Sequence, residues 1–168
     1  PLPVIAAIDG PAVGAGMNLA LACDLRIATG SGDTEASFAQ SFAAIGLAPD
    51  WGGTYHLPLL AGPGAAADLV FSAERISAAS AKELGLVDVL VEDGPALPHA
   101  LARAESYAER NPAAIAAAKR NLNAERLARV PEALARETEA QIELFRSGVL
   151  ARALAAARRS SRESRENR

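Results

Sequence analysis

The succession of apolar and helical segments near the start of the chain most constrains its fold. Residues 4–8 form an unbroken apolar run typical of a buried strand, residues 15–23 have helical composition, and residues 25–28 again favour a strand. Strands that a helix connects in this way pair in parallel within a sheet covered by helices. We therefore predict an α/β architecture for this part of the chain.

The second half of the sequence is almost purely helical, and we place the boundary near residues 92–95. Helix starts are predicted at residues 93–95, with Asp93 as the cap, at residues 111–112 and at residues 130–131. Shorter elements are predicted upstream: a strand or turn at 37–39, a helix at 65–71, a capped helix at 77–85 and a strand at 86–91. Residues 160–168 are polar throughout, which predicts a disordered tail.

Composition excludes several classes of protein. The 168 residues suit one domain or part of one, and 17 Lys and Arg against 20 Asp and Glu leave no electrostatic footprint for nucleic acid. Cys23 is the only cysteine, so no intramolecular disulfide and no cysteine-based metal cluster is expected. We find no secretory signal or membrane span, and expect a cytoplasmic protein. Because the chain opens directly on a strand-like run, we also expect further sequence before Pro1.

The segment 46–54 places one carboxylate among conformationally special residues. Pro49 fixes its own φ, and the Gly52-Gly53 pair permits close approach of backbone or ligand. Partial desolvation beside Trp51 would raise the proton affinity of Asp50 and suit it to acid-base chemistry. Asp is also among the best helix N-caps, so Asp50 could instead only cap a helix that starts near Trp51. The local sequence leaves both functions open.

A glycine-containing turn leads from the first strand into the first helix. The N–H groups at the start of a helix lack intrahelical acceptors, and small residues at Gly14, Ala15 and Gly16 would let a substrate carbonyl oxygen reach them. Such a turn can form half of an oxyanion hole. It lacks the spacing of a dinucleotide-binding turn and the Lys-Ser/Thr of a P-loop. A purely structural turn remains an equal alternative.

Five segments in this order, 3–10, 14–28, 38–40, 46–54 and 75–87, resemble the crotonase (enoyl-CoA hydratase/isomerase) superfamily. The resemblance implies a spiral of ββα units and a C-terminal helical region that packs into trimers, often paired into hexamers. It implies that residues 1–92 are the second part of the spiral core, which is incomplete at its N-terminus, and that residues 93–159 are the trimerisation region. A preceding β-rich segment would supply the second oxyanion N–H.

The resemblance also assigns roles to individual residues. Hydratases of the family hold a water with two glutamates, and those positions are Asn18 and Phe42 here, which argues against two-glutamate hydration. Asp50 stands where isomerases of the phenylacetate-pathway type place a catalytic aspartate. The substrate implied is an acyl-CoA thioester from fatty acid or phenylacetate metabolism, with no covalently bound cofactor and no metal. The implied site comprises Asp50 as catalytic residue, the Ala15 N–H as oxyanion donor, and Gly14, Gly16, Asn18, Phe42 and Trp51 in the substrate pocket.

We therefore expect an isomerase in which Asp50 moves a proton along a thioester enolate. The alternative is a non-catalytic or degenerate crotonase-fold protein that binds acyl-CoA, or a hydratase in name only. A dehalogenase, with Asp50 as nucleophile, fits less well because aromatic residues make up only 4% of the chain. Lys119 and Arg120, together with Arg158 and Arg159, could meet coenzyme A phosphates or lie on a solvated helix face. His56 and Asp24 are interpreted as structural, and His99 is expected on a solvated helix face.

Overall fold

The computed structural model describes residues 2–33 and 35–156. The strands are β1 Ile5–Ile8, β2 Pro11–Val13, β3 Leu25–Thr29, β4 Ser37–Ala39, β5 Arg75–Ser77 and β6 Val89–Val91. The helices are α1 Ala15–Leu21, α2 Gly53–Ala61, α3 Pro63–Ser72, α4 Ala78–Glu83, α5 Ala96–Ala108, α6 Pro112–Leu122 and α7 Ala124–Ser147, with a 3-10 turn at Ala43–Ile45. Residues 149–156 are also helical. None of the helices in these described ranges is both long and apolar enough to cross a membrane.

The strands form two small sheets, which confirms the α/β prediction. In the first sheet β3 lies between β1 and β6, and all three strands are parallel. In the second sheet β2 pairs in parallel with β4, which pairs antiparallel with β5. β1 and β2 belong to different sheets although only Asp9 and Gly10 separate them. Gly10 makes this break possible, because its φ of 92° is strained for any residue with a Cβ.

The main core lies between the sheets and the first four helices. Met17, Phe38, Leu57 and Leu86 are buried at its centre, and α1 packs against α2 there. A second, smaller cluster joins Ile27 and Val91 to the inner face of α5. The alanines of α5 allow this helix to approach β1 and β3 closely, which is how the helical half of the chain is anchored to the sheet.

The helical half differs from the sequence prediction at two starts. Asp93 does not cap α5, whose N-cap residue is Pro95; the cap comes instead from Asp9, whose Oδ1 accepts a 2.6 Å bond from the Ala96 N–H. Pro131 lies inside α7 and does not begin a helix. Proline removes one intrahelical hydrogen bond, but α7 packs along α2 and continues through it. The prediction at Asn111 is confirmed, since its Oδ1 accepts from the N–H groups of Ala113 and Ala114.

The strand predicted at 86–91 is shorter than expected and contains only Val89–Val91. The N–H groups of Leu86 and Val87 both point at the Ala81 carbonyl, so these residues close the end of α4 and do not pair with a strand. Their apolar side chains are nevertheless buried, which explains the strand-like sequence. The predicted tail at 160–168 and the candidate cations Arg158 and Arg159 lie outside the described residues.

Candidate active site

The loop before α2 is held in a strained conformation. Trp51 has a φ of 55°, in the left-handed region that a bulky side chain adopts only at a cost of about 1 kcal/mol or more, and its neighbour Gly52 has a φ of 76°. The Trp51 side chain is 58% exposed, so burial of the indole does not explain the strain. The Gly53 N–H closes the turn on the Asp50 carbonyl at 2.9 Å. Strain of this kind points to a loop whose shape is set by its surroundings.

Asp50 lies half-buried in this loop, and its carboxylate does not cap α2. Its Oδ2 accepts a 3.2 Å hydrogen bond from Gln141 Nε2 on α7. Its Oδ1 is buried and has no partner within the described residues. Burial raises the pKa of Asp50 above its usual value, the bond from Gln141 opposes the rise, and the nearby charge of Glu137 adds to it. Asp50 is therefore a carboxylate with raised proton affinity and one free oxygen.

The cap of α2 is Glu137, which the sequence analysis missed. This side chain is 4% exposed and comes from α7. Its Oε2 accepts from the Gly52 N–H at 2.8 Å, and its Oε1 accepts from the Thr54 N–H at 2.9 Å and the Thr54 hydroxyl at 2.6 Å. A negative charge at this end of α2 also complements the helix dipole. Both oxygens of Glu137 are thus committed to the backbone and side chain of the loop.

Asn18 joins the glycine turn to the Asp50 loop. The side chain is fully buried; its Nδ2 donates to the Asp50 carbonyl at 2.8 Å and its Oδ1 accepts from Gln40 Nε2 at 2.7 Å. Gly53 packs directly against this amide, because an added Cβ would lie 2.2 Å from Asn18 Nδ2. The polar atoms of Asn18 are therefore taken up by protein contacts that fix the loop.

The glycine turn lies on the other side of Asn18. Gly14 has a φ of 55° and donates its N–H to the Ala39 carbonyl at 2.8 Å, which leaves Ala15 as the first residue of α1. Within the described residues, this end of α1 carries no side-chain cap. An added Cβ on Gly14 would lie 3.5 Å from Cζ of Phe42, so the buried Phe42 ring packs on the turn. Ala15 is half-buried and Gly16 is exposed.

A cavity of about 670 Å³ is lined by residues of the Asp50 loop and of α7. Its apolar wall includes Leu134, Ile142 and Phe145 of α7, and its titratable side chains within the described residues are Asp50, His56, Arg126 and Glu137. Trp51 stands at its border. The structure therefore brings together Asp50, Trp51 and α7 around one cavity, while Gly14, Asn18 and Phe42 form the packed layer beside the loop.

His56, His99 and Asp24 occupy positions that suit the expectations for them: a structural role for His56 and Asp24, and a solvated helix face for His99. His56 is 4% exposed, and burial lowers its pKa to about 4, with Arg126 and Arg26 adding to the effect and Glu137 opposing it. It is therefore neutral at neutral pH. His99 is exposed on α5. Asp24 accepts from the Val4 N–H at 2.7 Å and so ties the end of α1 to the first strand.

The two candidate cations on α6 differ in their surroundings. Lys119 forms a 2.6 Å ion pair with Asp24 and donates to the Leu2 carbonyl at 2.7 Å. Burial alone would raise the pKa of Asp24, but the bonds from Lys119, the Val4 N–H and Asn123 lower it overall. Lys119 therefore fastens α6 to the segments that precede β1 and β3. Arg120 is exposed.

Comparison with known proteins identifies the family. The family model described as enoyl-CoA hydratase/isomerase matches residues 1–156. The chain belongs to the enoyl-CoA hydratase/isomerase (crotonase) family. This confirms the resemblance carried by the five sequence segments, while the phenylacetate-type specificity stays a prediction.

Relatives and solved structures of the family agree with this assignment. A Rhodobacter capsulatus protein named "Probable enoyl-CoA hydratase" is 44% identical over 156 residues, 90% of this chain and 59% of its own length. A short-chain-enoyl-CoA hydratase of Clostridium acetobutylicum is 37% identical over 143 residues, 85% of this chain and 53% of its own. An enoyl-CoA hydratase/isomerase structure from Pseudoalteromonas atlantica superposes with a TM-score of 0.88 at 29% identity, covering 94% of this chain and 62% of that one.

The crotonase fold is thereby established for this chain. The chain spans a little over half the length of these two curated relatives.

Proposed function

We propose that this chain carries the acid-base half of an acyl-CoA isomerase site, with Asp50 as the proton shuttle. One observation carries the proposal. Of the two carboxylates that line the cavity within the described residues, Glu137 has both oxygens bonded to the loop, whereas Asp50 Oδ1 has no hydrogen-bond partner there. A carboxylate with raised proton affinity and a free oxygen suits reversible proton transfer.

The chemistry requires one base and a stabilised enolate. Asp50 Oδ1 removes a proton from the carbon α to the thioester of a 3-enoyl-CoA; the C–H bond breaks and its electrons move into a dienolate. The Ala15 N–H donates to the developing oxyanion and lowers the barrier. Asp50 then returns the same proton to the γ carbon, which yields the conjugated 2-enoyl thioester. No water enters the balance.

Water addition by two carboxylates has less support from these residues, although the relatives compared above are hydratases by name. Both polar atoms of the Asn18 amide form hydrogen bonds within the protein, and Phe42 is an apolar side chain packed on the glycine turn. Neither offers a base for a water molecule. Hydratase activity is nevertheless the second candidate, because of those names.

The decisive experiment is Asp50→Asn in the intact protein, assayed for formation of the 2-enoyl thioester from a 3-enoyl-CoA. We expect kcat to fall by about a hundred- to ten-thousand-fold, the usual contribution of a positioned base. Glu139→Gln, on an exposed carboxylate of α7, is the matched control and should retain activity. Unchanged conjugation by Asp50→Asn would refute the shuttle. Efficient hydration of crotonyl-CoA by the wild type would favour the hydratase, and acyl-CoA binding without turnover would favour the non-catalytic alternative.

The remaining features of the site are proposed with it. Coenzyme A enters as part of the substrate and no cofactor is bound covalently; its phosphates would meet Arg120, since Lys119 is committed to Asp24. The protein would act in the cytoplasm as a homotrimer or a hexamer. Light scattering on the purified protein distinguishes these assemblies from a monomer.

A further inference from the structure

Two side chains of α7 hold the Asp50 loop at both ends. Glu137 binds the N–H groups of Gly52 and Thr54, while Gln141 Nε2 donates to the Ala48 carbonyl at 2.9 Å and to Asp50 Oδ2 at 3.2 Å. Residues four apart on a helix lie on the same face, so one surface of α7 supplies both sets of contacts. The loop is strained at Trp51, and these contacts, together with the bond from Asn18 to the Asp50 carbonyl, oppose its relaxation.

We propose that Gln141 and Glu137 are positioning residues for Asp50: Gln141 fixes the carboxylate through Oδ2, Glu137 fixes the backbone that carries it, and Oδ1 is left for the substrate proton. This inference rests on the proposed function of Asp50. It assigns α7, a helix far along the chain, a part in the chemistry of the loop. Gln141 and Glu137 both influence the Asp50 carboxylate, but their electrostatic effects on it are opposite.

Gln141 and Glu137 bias the protonation of Asp50 in opposite directions. The amide N–H of Gln141 stabilises the ionised carboxylate and lowers the pKa of Asp50, whereas the charge of Glu137 raises it. In the part of the chain that the structure describes, the other charged or titratable residues that line the cavity are His56 from α2 and Arg126 from α7. His56 is neutral near neutral pH because its pKa is about 4. The pair on α7 therefore both orients Asp50 and tunes its proton affinity.

The two residues shift the pKa of Asp50 in opposite directions, and a general loss of structure would not produce such opposite shifts. The intact protein is labelled with ¹³C at the Asp side-chain carboxyls, the Asp50 resonance is assigned by its absence in Asp50→Asn, and its titration is followed by NMR. We expect Gln141→Met to raise the pKa of Asp50 and Glu137→Gln to lower it. Glu143→Met, which introduces the same methionine at an exposed site of α7, is the control and should leave the pKa near that of the wild type.

Kinetics provide the second readout. Gln141→Met should lower kcat by about ten- to a hundred-fold with little change in KM, because the base is misoriented while the cavity remains. Asp50 pKa values that move in the same direction in both variants, or a Gln141→Met value equal to that of Glu143→Met, would overturn the inference. The Gln141→Met titration decides by itself should Glu137→Gln fail to fold. Because the NMR titration does not depend on turnover, an inactive wild type would refute the proposed function, while opposite shifts of the Asp50 pKa in the two variants would still support the positioning of Asp50 by α7.

Discussion

Adding a single methyl group at Gly53 should destabilise the protein strongly, through Asn18. The Cβ of Gly53→Ala would lie 2.2 Å from Nδ2, 2.5 Å from Cγ and 2.6 Å from Oδ1 of Asn18. Real Cβ atoms do not approach other heavy atoms so closely, so the amide or the helix must move. The amide is fully buried and bonded at both ends, to Gln40 and to the Asp50 carbonyl, which leaves it no free direction.

The expected cost follows from these contacts. Overpacking a core contributes roughly 1–3 kcal/mol. Each of the two hydrogen bonds of Asn18 that is broken leaves a partly or fully buried partner unsatisfied, at about 1–3 kcal/mol. Asn18 can relieve the clash by breaking one of its two hydrogen bonds and keeping the other. We therefore expect a total loss of about 3–5 kcal/mol in the free energy of unfolding. A loss of this size is a large share of the 5–15 kcal/mol or so that stabilises a typical domain.

Urea denaturation followed by circular dichroism measures the effect, and a double-mutant cycle isolates its cause. In an Asn18→Ala background the three obstructing atoms are gone, so Gly53→Ala should cost less than about 1 kcal/mol, a coupling of about 2–4 kcal/mol. Gly64→Ala is the matched control: Gly64 lies in α3 with no atom near its added Cβ, and the substitution should stabilise by about 0.5–1 kcal/mol. An equal cost of Gly53→Ala in both backgrounds would refute the reasoning.

Two further predictions concern buried or capping titratable groups. The pKa of His56 is about 4 in the folded state against the ordinary histidine value of 6.5, so the folded state binds fewer protons than the unfolded state between these values. The stabilising contribution of His56 is present above pH 6.5 and is lost as the pH falls toward 4, by at most about 3 kcal/mol. Urea unfolding should show a drop in the free energy of unfolding between pH 7 and pH 5 in the wild type, and a smaller drop in His56→Gln. Equal drops in the two proteins would contradict this prediction. Asp9→Ala should cost about 1–2 kcal/mol at pH 7, because Asp9 caps α5. The hydrogen bond from the Thr29 hydroxyl lowers the pKa of Asp9; burial opposes this shift and the N–H groups of α5 add to it. The difference in the free energy of unfolding between wild type and Asp9→Ala should therefore become smaller as the pH falls below 3.8. A difference that stays constant through this range would mean that the charge of Asp9 contributes nothing to the cap.

The sequence allowed the fold to be predicted wherever the signal was local. The strands at the start of the chain, the cap at Asn111 and the capped helix that follows Ser77 depend on neighbouring residues, and the structure has each of them. The cap of α5 could not be predicted, because Asp9 reaches Ala96 across 87 residues. Pro131 misled for the opposite reason: its local preference for a helix start was overridden by the packing of α7 on α2.

The same distinction applies to the site. The special backbone of residues 46–54 indicated Asp50 as the residue to consider, and the structure gives it the raised pKa that partial desolvation suggested. Glu137 and Gln141 were missed because their contacts with the loop span between 83 and 93 residues. A signal was nevertheless available. The apolar residues Leu134, Ile142 and Phe145 recur at helical spacing on the side of α7 that lines the cavity, and the two missed residues are polar positions on the same side.

The contacts of α7 show that the helical half of the chain also supports the loop that carries Asp50. A helix that only covered the sheet would present apolar side chains, since burying a carboxylate without partners costs several kcal/mol. α7 instead buries Glu137, and three hydrogen bonds from the loop compensate for that cost only if the loop keeps its strained shape. Relaxation of Trp51 out of the left-handed region would strip this carboxylate of its donors. The strain beside Asp50 and the buried charge on α7 therefore stabilise each other, and the geometry of the proposed base depends on a helix that begins more than seventy residues after it.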